Sequence, residues 1–141
     1  MSAKVFLDTN VLVYAVDEAA PHKSQVAQAT LSQVRQQQYG VISTQVLQEF
    51  YAAATRKLGI DAASARAMVR RYAHFEVVTI TVPLIDAAMR LSTDRQLSFW
   101  DALIISAALE ADCELLMTED MNAGQRFDRL TLVDPFAQAS Y

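Results

Sequence analysis

Short apolar runs alternate along the chain with longer stretches in which apolar residues recur every three or four positions. Val5-Phe6-Leu7, Val41-Ile42, Leu115-Leu116-Met117 and Leu130 to Val133 are too short for helices, and all but the last, which contains Thr131, are wholly apolar. That is the pattern of strands buried on both faces of a parallel sheet. Glu76 to Ile80 is rich in β-branched residues and reads as another strand. Between the runs the period is helical. A short apolar helix follows the first strand, and Pro21 opens a helix to about Gln38 with Val26, Thr30, Leu31 and Val34 on one face. Ser43 or Thr44 caps the next, whose stripe is Val46, Leu47, Phe50, Tyr51, Ala54 and Leu58 and which Gly59 ends. Asp61 caps a helix bearing Ala65, Met68, Val69 and Tyr72; Pro83 opens one reaching about Gln96; Ser98 caps one from Phe99 to Ala111. This alternation predicts a three-layer α/β/α architecture, a central parallel sheet of about five strands with helices on both faces, in a single domain over residues 1–141.

Composition supports a folded chain. Apolar residues make up 52% of the 141, and glycine and proline number three each, enough to build a core without disulfides. The lone Cys113 excludes an internal disulfide framework and a cysteine-rich zinc site, and between a helix and a strand it reads as buried filler. Met1-Ser2-Ala3-Lys4 leads straight into the first strand, and no apolar run is long enough to span a bilayer. A cytoplasmic protein is expected.

Net charge is −4 but unevenly spread. Residues 56–74 hold Arg56, Lys57, Arg66, Arg70 and Arg71 against Asp61 alone, whereas residues 75–141 carry four basic groups against eleven acids. One basic island in an acidic chain is either a patch that attracts phosphate or a solvated helix face.

Four acids stand where chemistry could use them. Asp8 ends the first strand, where open α/β sheets place ligands, although Asp8-Thr9-Asn10 also serves as a helix cap. Glu49 lies opposite the apolar stripe of its helix and so faces water or a cleft. Asp101 is third after Ser98, as in a capping box, and a carboxylate is favoured in a first helical turn. Asp120 follows a strand end as Asp8 does. Gly40, Gly59 and Gly124 form no phosphate loop, and His22 and His74 lie far apart in sequence. Phe99 and Trp100 either stack on bases or belong to the core.

Asp8-Thr9-Asn10, Gln48-Glu49-Phe50-Tyr51, Phe99-Trp100-Asp101-Ala102-Leu103-Ile104 and Leu115-Leu116-Met117-Thr118-Glu119-Asp120 resemble, in order and spacing, the successive motifs of the PIN domain, and the likeness runs to Asp134-Pro135-Phe136. The family pattern selects Asp120 over its neighbour Glu119 as the functional acid. The resemblance implies an acidic cleft binding Mg²⁺, with Mn²⁺ as a substitute, and endoribonuclease activity. It further implies the toxin half of a type II toxin–antitoxin pair (the VapC kind) or a nuclease of RNA maturation. Asp8, Glu49, Asp101 and Asp120 become the expected catalytic metal ligands, with Thr9, Asn10 and Thr118 orienting them.

Elementary electrostatics reaches a compatible chemistry. Carboxylates about 4 Å apart repel by roughly 4 kcal/mol at an effective dielectric of 20, so a cluster must take up protons or a cation. Oxygen-only ligands suit a hard divalent ion, which can activate water against a phosphodiester. The competing expectation is a non-catalytic nucleic-acid or protein-binding module. An RNA substrate, a cognate antitoxin and a homodimer are the expected partners, with no membrane.

Overall fold

A computed structural model describes residues 3–37 and 39–137. Val5–Leu7 (β1) has all three residues buried, and the chain turns at Asp8 into Thr9–Tyr14 (α1), then Pro21–Gln37 (α2). Gln38, where the α2 period was expected to end, lies outside the described residues. Gly40–Ser43 (β2), Thr44–Arg56 (α3), Ala62–Tyr72 (α4) and Glu76–Val78 (β3) follow. Val82–Arg95 (α5), Phe99–Glu110 (α6), Leu115–Met117 (β4), Arg126–Phe127 (β5) and Leu130–Val133 (β6) complete the order. The caps are local and chemical: Asp8, Ser43, Asp61, Thr81 and Ser98 each accept a backbone N–H of the helix that follows them.

Among the described residues the sheet has six strands in the order β3-β2-β1-β4-β6-β5, all parallel except β5, which pairs antiparallel with β6. The expectation of about five parallel strands therefore lacks one antiparallel edge strand. Two residues, Arg126 and Phe127, are too few to carry a period in sequence. The chain moves outward from β1 through β2 to β3, then returns across to β4 on the other flank of β1. Connections thus diverge between β1 and β4, which leaves a crevice at their carboxyl ends. Register places it: Leu7 is opposite Met117, so Asp8 and Thr118 emerge side by side, with Asp8 N–H donating to Met117 carbonyl at 3.0 Å.

Helix α1 contacts both α2 and α3, α3 contacts α4, and α5 packs on α6; right-handed crossovers put α1 to α4 and α5 with α6 on opposite faces. Helix α6 is apolar nearly all round, with Ala102 to Ala108 buried throughout, as befits a helix wedged between the sheet and α5. Cys113 is buried between α6 and β4.

Three local expectations need correction. The β3 strand stops at Val78 rather than Ile80, because Ile80 N–H turns to the Thr44 hydroxyl at 3.2 Å and Thr81 begins capping α5. Helix α3 ends at Arg56, two residues before Leu58. Its buried face contains Gln45, Val46, Phe50 and Ala54, while Tyr51 is 40% exposed. The buried face thus keeps the expected Val46, Phe50 and Ala54, gains the polar Gln45 and leaves out Tyr51.

Gly40 opens β2 against the end of α2, where an added Cβ would collide with Val34 and Phe75. Gly40→Ala should therefore destabilise by about 1–3 kcal/mol, the usual effect of overpacking. The check is urea unfolding at constant m-value, and an unchanged midpoint would show that the Val34 and Phe75 side chains give way freely.

Candidate active site

Asp8 ends a strand with no exposed surface and is itself only 6% exposed. Its Oδ1 accepts Thr9 N–H at 2.7 Å, and its Oδ2 accepts the Thr118 hydroxyl at 2.8 Å. The capping role and the strand-end role thus coexist. Burial raises its pKa to about 6; the Thr118 and Thr9 hydrogen bonds oppose the shift, and the charges of Asp120 and Glu49 add to it. Thr118 is buried, and its Oγ1 also accepts Asp120 N–H at 3.2 Å, so one hydroxyl connects two of the acids.

Thr9 and Asn10, in the first turn of α1, face two other acids. Thr9 Oγ1 donates to Glu49 Oε1 at 2.6 Å, and Asn10 Nδ2 donates to Asp120 Oδ2 at 2.9 Å. Glu49 is half-buried, facing this cleft rather than open water. Its other oxygen accepts Gln45 Nε2 at 3.2 Å, which also reaches the Trp100 carbonyl at 3.3 Å. Asp101, in the first turn of α6, has its backbone N–H held by Ser98 Oγ at 3.1 Å. Its pKa is raised chiefly by burial; a hydrogen bond with Ser98 opposes this, and Asp120 and Glu49 raise it further. The four acids predicted as ligands thus lie in one electrostatic neighbourhood, coupled through Glu49 and Asp120.

Glu119 is engaged elsewhere. Its carboxylate pairs with Lys23 and accepts the Tyr14 hydroxyl at 3.0 Å, while Lys23 Nζ sits 4.7 Å from the Tyr14 ring centroid. One residue of the site, Gln45, is absent from the sequence-based expectations. Gln45 is buried beside Glu49, and its Oε1 has no hydrogen-bond partner among the described residues. The signal was available: a glutamine four positions before an acid faces it across one turn. Trp100, a candidate for either stacking or the core, is 60% exposed next to Asp101. The two histidines are not united. His22 lies in the first turn of α2, and His74 lies in a cleft with Arg35, which is about 20 Å further along that helix at 1.5 Å per residue.

A cleft of about 700 Å³ opens between α1, α3 and the loop after β4, lined by Asn10, Glu49, Asp120, Arg56 and Lys57 among others. Another of about 720 Å³ lies at the amino edge, by Lys4 and Arg35, away from these acids. Size does not identify the site; the carboxylates do. Among the described residues no three His, Cys, Asp or Glu side chains stand, as oriented, to enclose a metal ion; the acid oxygens are engaged by Thr9, Asn10, Gln45 and Thr118. The donor set is nevertheless all oxygen and anionic, with a buried carboxylate whose charge the fold leaves uncompensated by any basic side chain hydrogen-bonded to it. That chemistry fits a hard divalent cation, partly through water.

The PIN domain family model matches residues 5–130. Solved structures with similar folds include the sarcin–ricin-loop-cleaving toxin VapC20 of Mycobacterium tuberculosis, at 20% identity and TM-score 0.62, covering 83% of this chain and 90% of that one. A toxin–antitoxin complex from Klebsiella pneumoniae is similar at 17% identity and TM-score 0.66, covering 94% and 98%. VapBC2 of Rickettsia felis, bound to a fragment of its promoter DNA, is similar at 18% and 0.64, covering 91% and 96%. At these identities the likeness is one of fold. Among curated proteins none matches the chain significantly by sequence. No helix of the described residues is long and apolar enough to cross a membrane.

The raised pKa of Asp8 has a definite sign. Between the ordinary carboxylate range and about pH 6 the native state keeps a proton that the unfolded chain releases. Stability of the metal-free protein therefore falls as pH rises through that window, by up to about 3 kcal/mol. In chelator, Asp8→Asn should flatten this fall and exceed wild type at pH 7.5. Identical pH profiles for the two proteins by urea unfolding would remove Asp8 as the titrating group.

Proposed function

The chain belongs to the PIN domain family, and from that premise we propose that it is a divalent-metal-dependent endoribonuclease, the toxin of a toxin–antitoxin pair. The observation that carries the reading is the buried Asp8 at the β1/β4 crevice, coupled to Glu49 and Asp120. A binding module gains nothing from such repulsion, whereas a metal enzyme uses it. Nucleases of this family generally use divalent metal ions; Mg²⁺, with Mn²⁺ as substitute, is the ion proposed. Asp8 and Asp101 would be its main ligands, with Glu49 and Asp120 completing the set directly or through water. When bound, the ion supplies Lewis-acid polarisation of the phosphoryl oxygen and lowers the pKa of water.

The remaining roles belong to the chain. Thr118 and Thr9 N–H fix the Asp8 carboxylate at both oxygens while leaving each a free lone pair. Thr9 and Gln45 hold Glu49, and Asn10 holds Asp120, so the acids face the cleft before substrate arrives. With the histidines at opposite ends of α2, the nucleophile is water and not a ribose 2′-hydroxyl activated by imidazole.

The solved neighbours described as toxin–antitoxin complexes support a protein inhibitor for this chain as well. An acidic cleft calls for a basic one, an Arg or Lys placed among the carboxylates. Val82 and Met89, seven positions apart and exposed on α5, support self-association as a homodimer.

Purified protein should cut single-stranded RNA in Mg²⁺ to leave 5′-phosphate and 3′-hydroxyl ends, including at a single 2′-deoxy substitution beside the scissile bond. Asp101→Asn should lower the rate at least about a hundredfold. A 2′,3′-cyclic phosphate product, or full cleavage in excess chelator, would refute the mechanism.

A further inference from the structure

The basic island of the sequence is divided by the fold. Arg71 lies by the amino-edge cleft, whereas Arg56 and Lys57 line the same cleft as Glu49 and Asp120. The α3 helix relates them. Glu49, Ala52, Ala53 and Arg56 all line the cleft and follow one another at helical spacing. Arg56 is therefore about 10 Å beyond Glu49 along the axis, at 1.5 Å per residue. That is too far to touch the phosphate held at the acids, but suited to a neighbouring one on the same strand. The two alanines between them leave a low floor over which a chain can pass.

Both cations are exposed, and among the described residues neither makes an ion pair. Two of the acids bordering the cleft have other partners. Glu119 is paired with Lys23, and Asp17, across the cleft, accepts Ala19 N–H at 3.0 Å. A position at the C-terminal end of α3 favours basic residues in any helix, but that does not require both to border the acidic cleft.

We propose that Arg56 and Lys57 form a subsite for a backbone phosphate of the RNA, flanking the one held at the acids, so that substrate lies along α3. The inference rests on the nuclease reading and names where its substrate runs. Phosphate contacts of this kind position a strand without reading its sequence.

The test combines binding and turnover. Affinity for a labelled single-stranded RNA is measured by anisotropy against salt in the Asp101→Asn background, with and without Arg56→Gln/Lys57→Gln. Loss of this one phosphate contact should reduce the slope of log K against log salt by about 0.7 and weaken binding severalfold at moderate salt. Arg90→Gln, which removes an equal kind of charge on α5 where Arg90 pairs with Asp86, should leave the slope unchanged. In the cleaving protein the double variant should show its loss in KM, with melting temperature preserved. An unchanged slope and KM in a protein that still cleaves RNA would overturn the subsite while leaving the nuclease reading intact. So would a loss confined to kcat, or normal RNA binding with failure to retain a protein inhibitor. A reduced salt slope in a chain that never cleaves RNA would sustain the subsite and overturn the nuclease.

Discussion

A carboxylate at the end of a fully buried strand is the constraint on which the rest of the site depends. Val5, Phe6 and Leu7 are buried by their position in the middle of the sheet, and the next residue emerges where connections diverge on either side. An apolar residue would close that crevice. Asp8 instead brings a charge whose burial raises its pKa to about 6, and the neighbouring strand answers with the Thr118 hydroxyl rather than a cation. A neutral donor orients the carboxylate and leaves its charge unneutralised, whereas an arginine there would hold its pKa down.

The same economy runs through Asp8-Thr9-Asn10. One acid and two short polar side chains, on the cap and first turn of α1, serve three carboxylates. Asp8 is itself one; Thr9 holds Glu49 from α3, and Asn10 holds Asp120 from the β4 loop. Asn10 Oδ1 also accepts Glu119 N–H at 3.4 Å, so its amide grips that loop at both residues. Lys23 and Tyr14 take the Glu119 side chain to the other side. Adjacent glutamate and aspartate thus border one cleft with different partners, Glu119 in an ion pair with Lys23 and Asp120 held by Asn10.

Much of this could be read from the chain because it depends on local chemistry. Buried strand runs, proline at helix starts and Ser, Thr or Asp at caps are contained in a few consecutive residues, and the structure places these elements within a residue or two. The four acids were visible as polar interruptions of apolar segments. Features set by distant partners were less accessible. Gln45 is buried with Glu49 and the Trp100 carbonyl receiving its amide, and the second of these partners lies outside any local sequence pattern. The β5 strand exists only because β6 is there to pair with it. Whether Trp100 joins the core depends on how α6 seats against α5, and its ring faces outward while Phe99 packs inward.

Net charge was the least informative global number. A value of −4 argues against a polyanionic partner only if charge acts from the molecular centre. Exposed charges are screened beyond about 8–10 Å at ordinary ionic strength, so a polyanion would feel the groups nearest it rather than the total. In the cleft those are the acids that call for a cation and, about two helical turns along α3, Arg56 and Lys57. The surplus of acids in residues 75–141 includes Asp86, which is paired with Arg90 on α5 away from the cleft. An acidic protein can therefore present one basic end of an acidic cleft, which gives a bound polyanion a direction as well as a place. The order of charges along a single helix sets that direction.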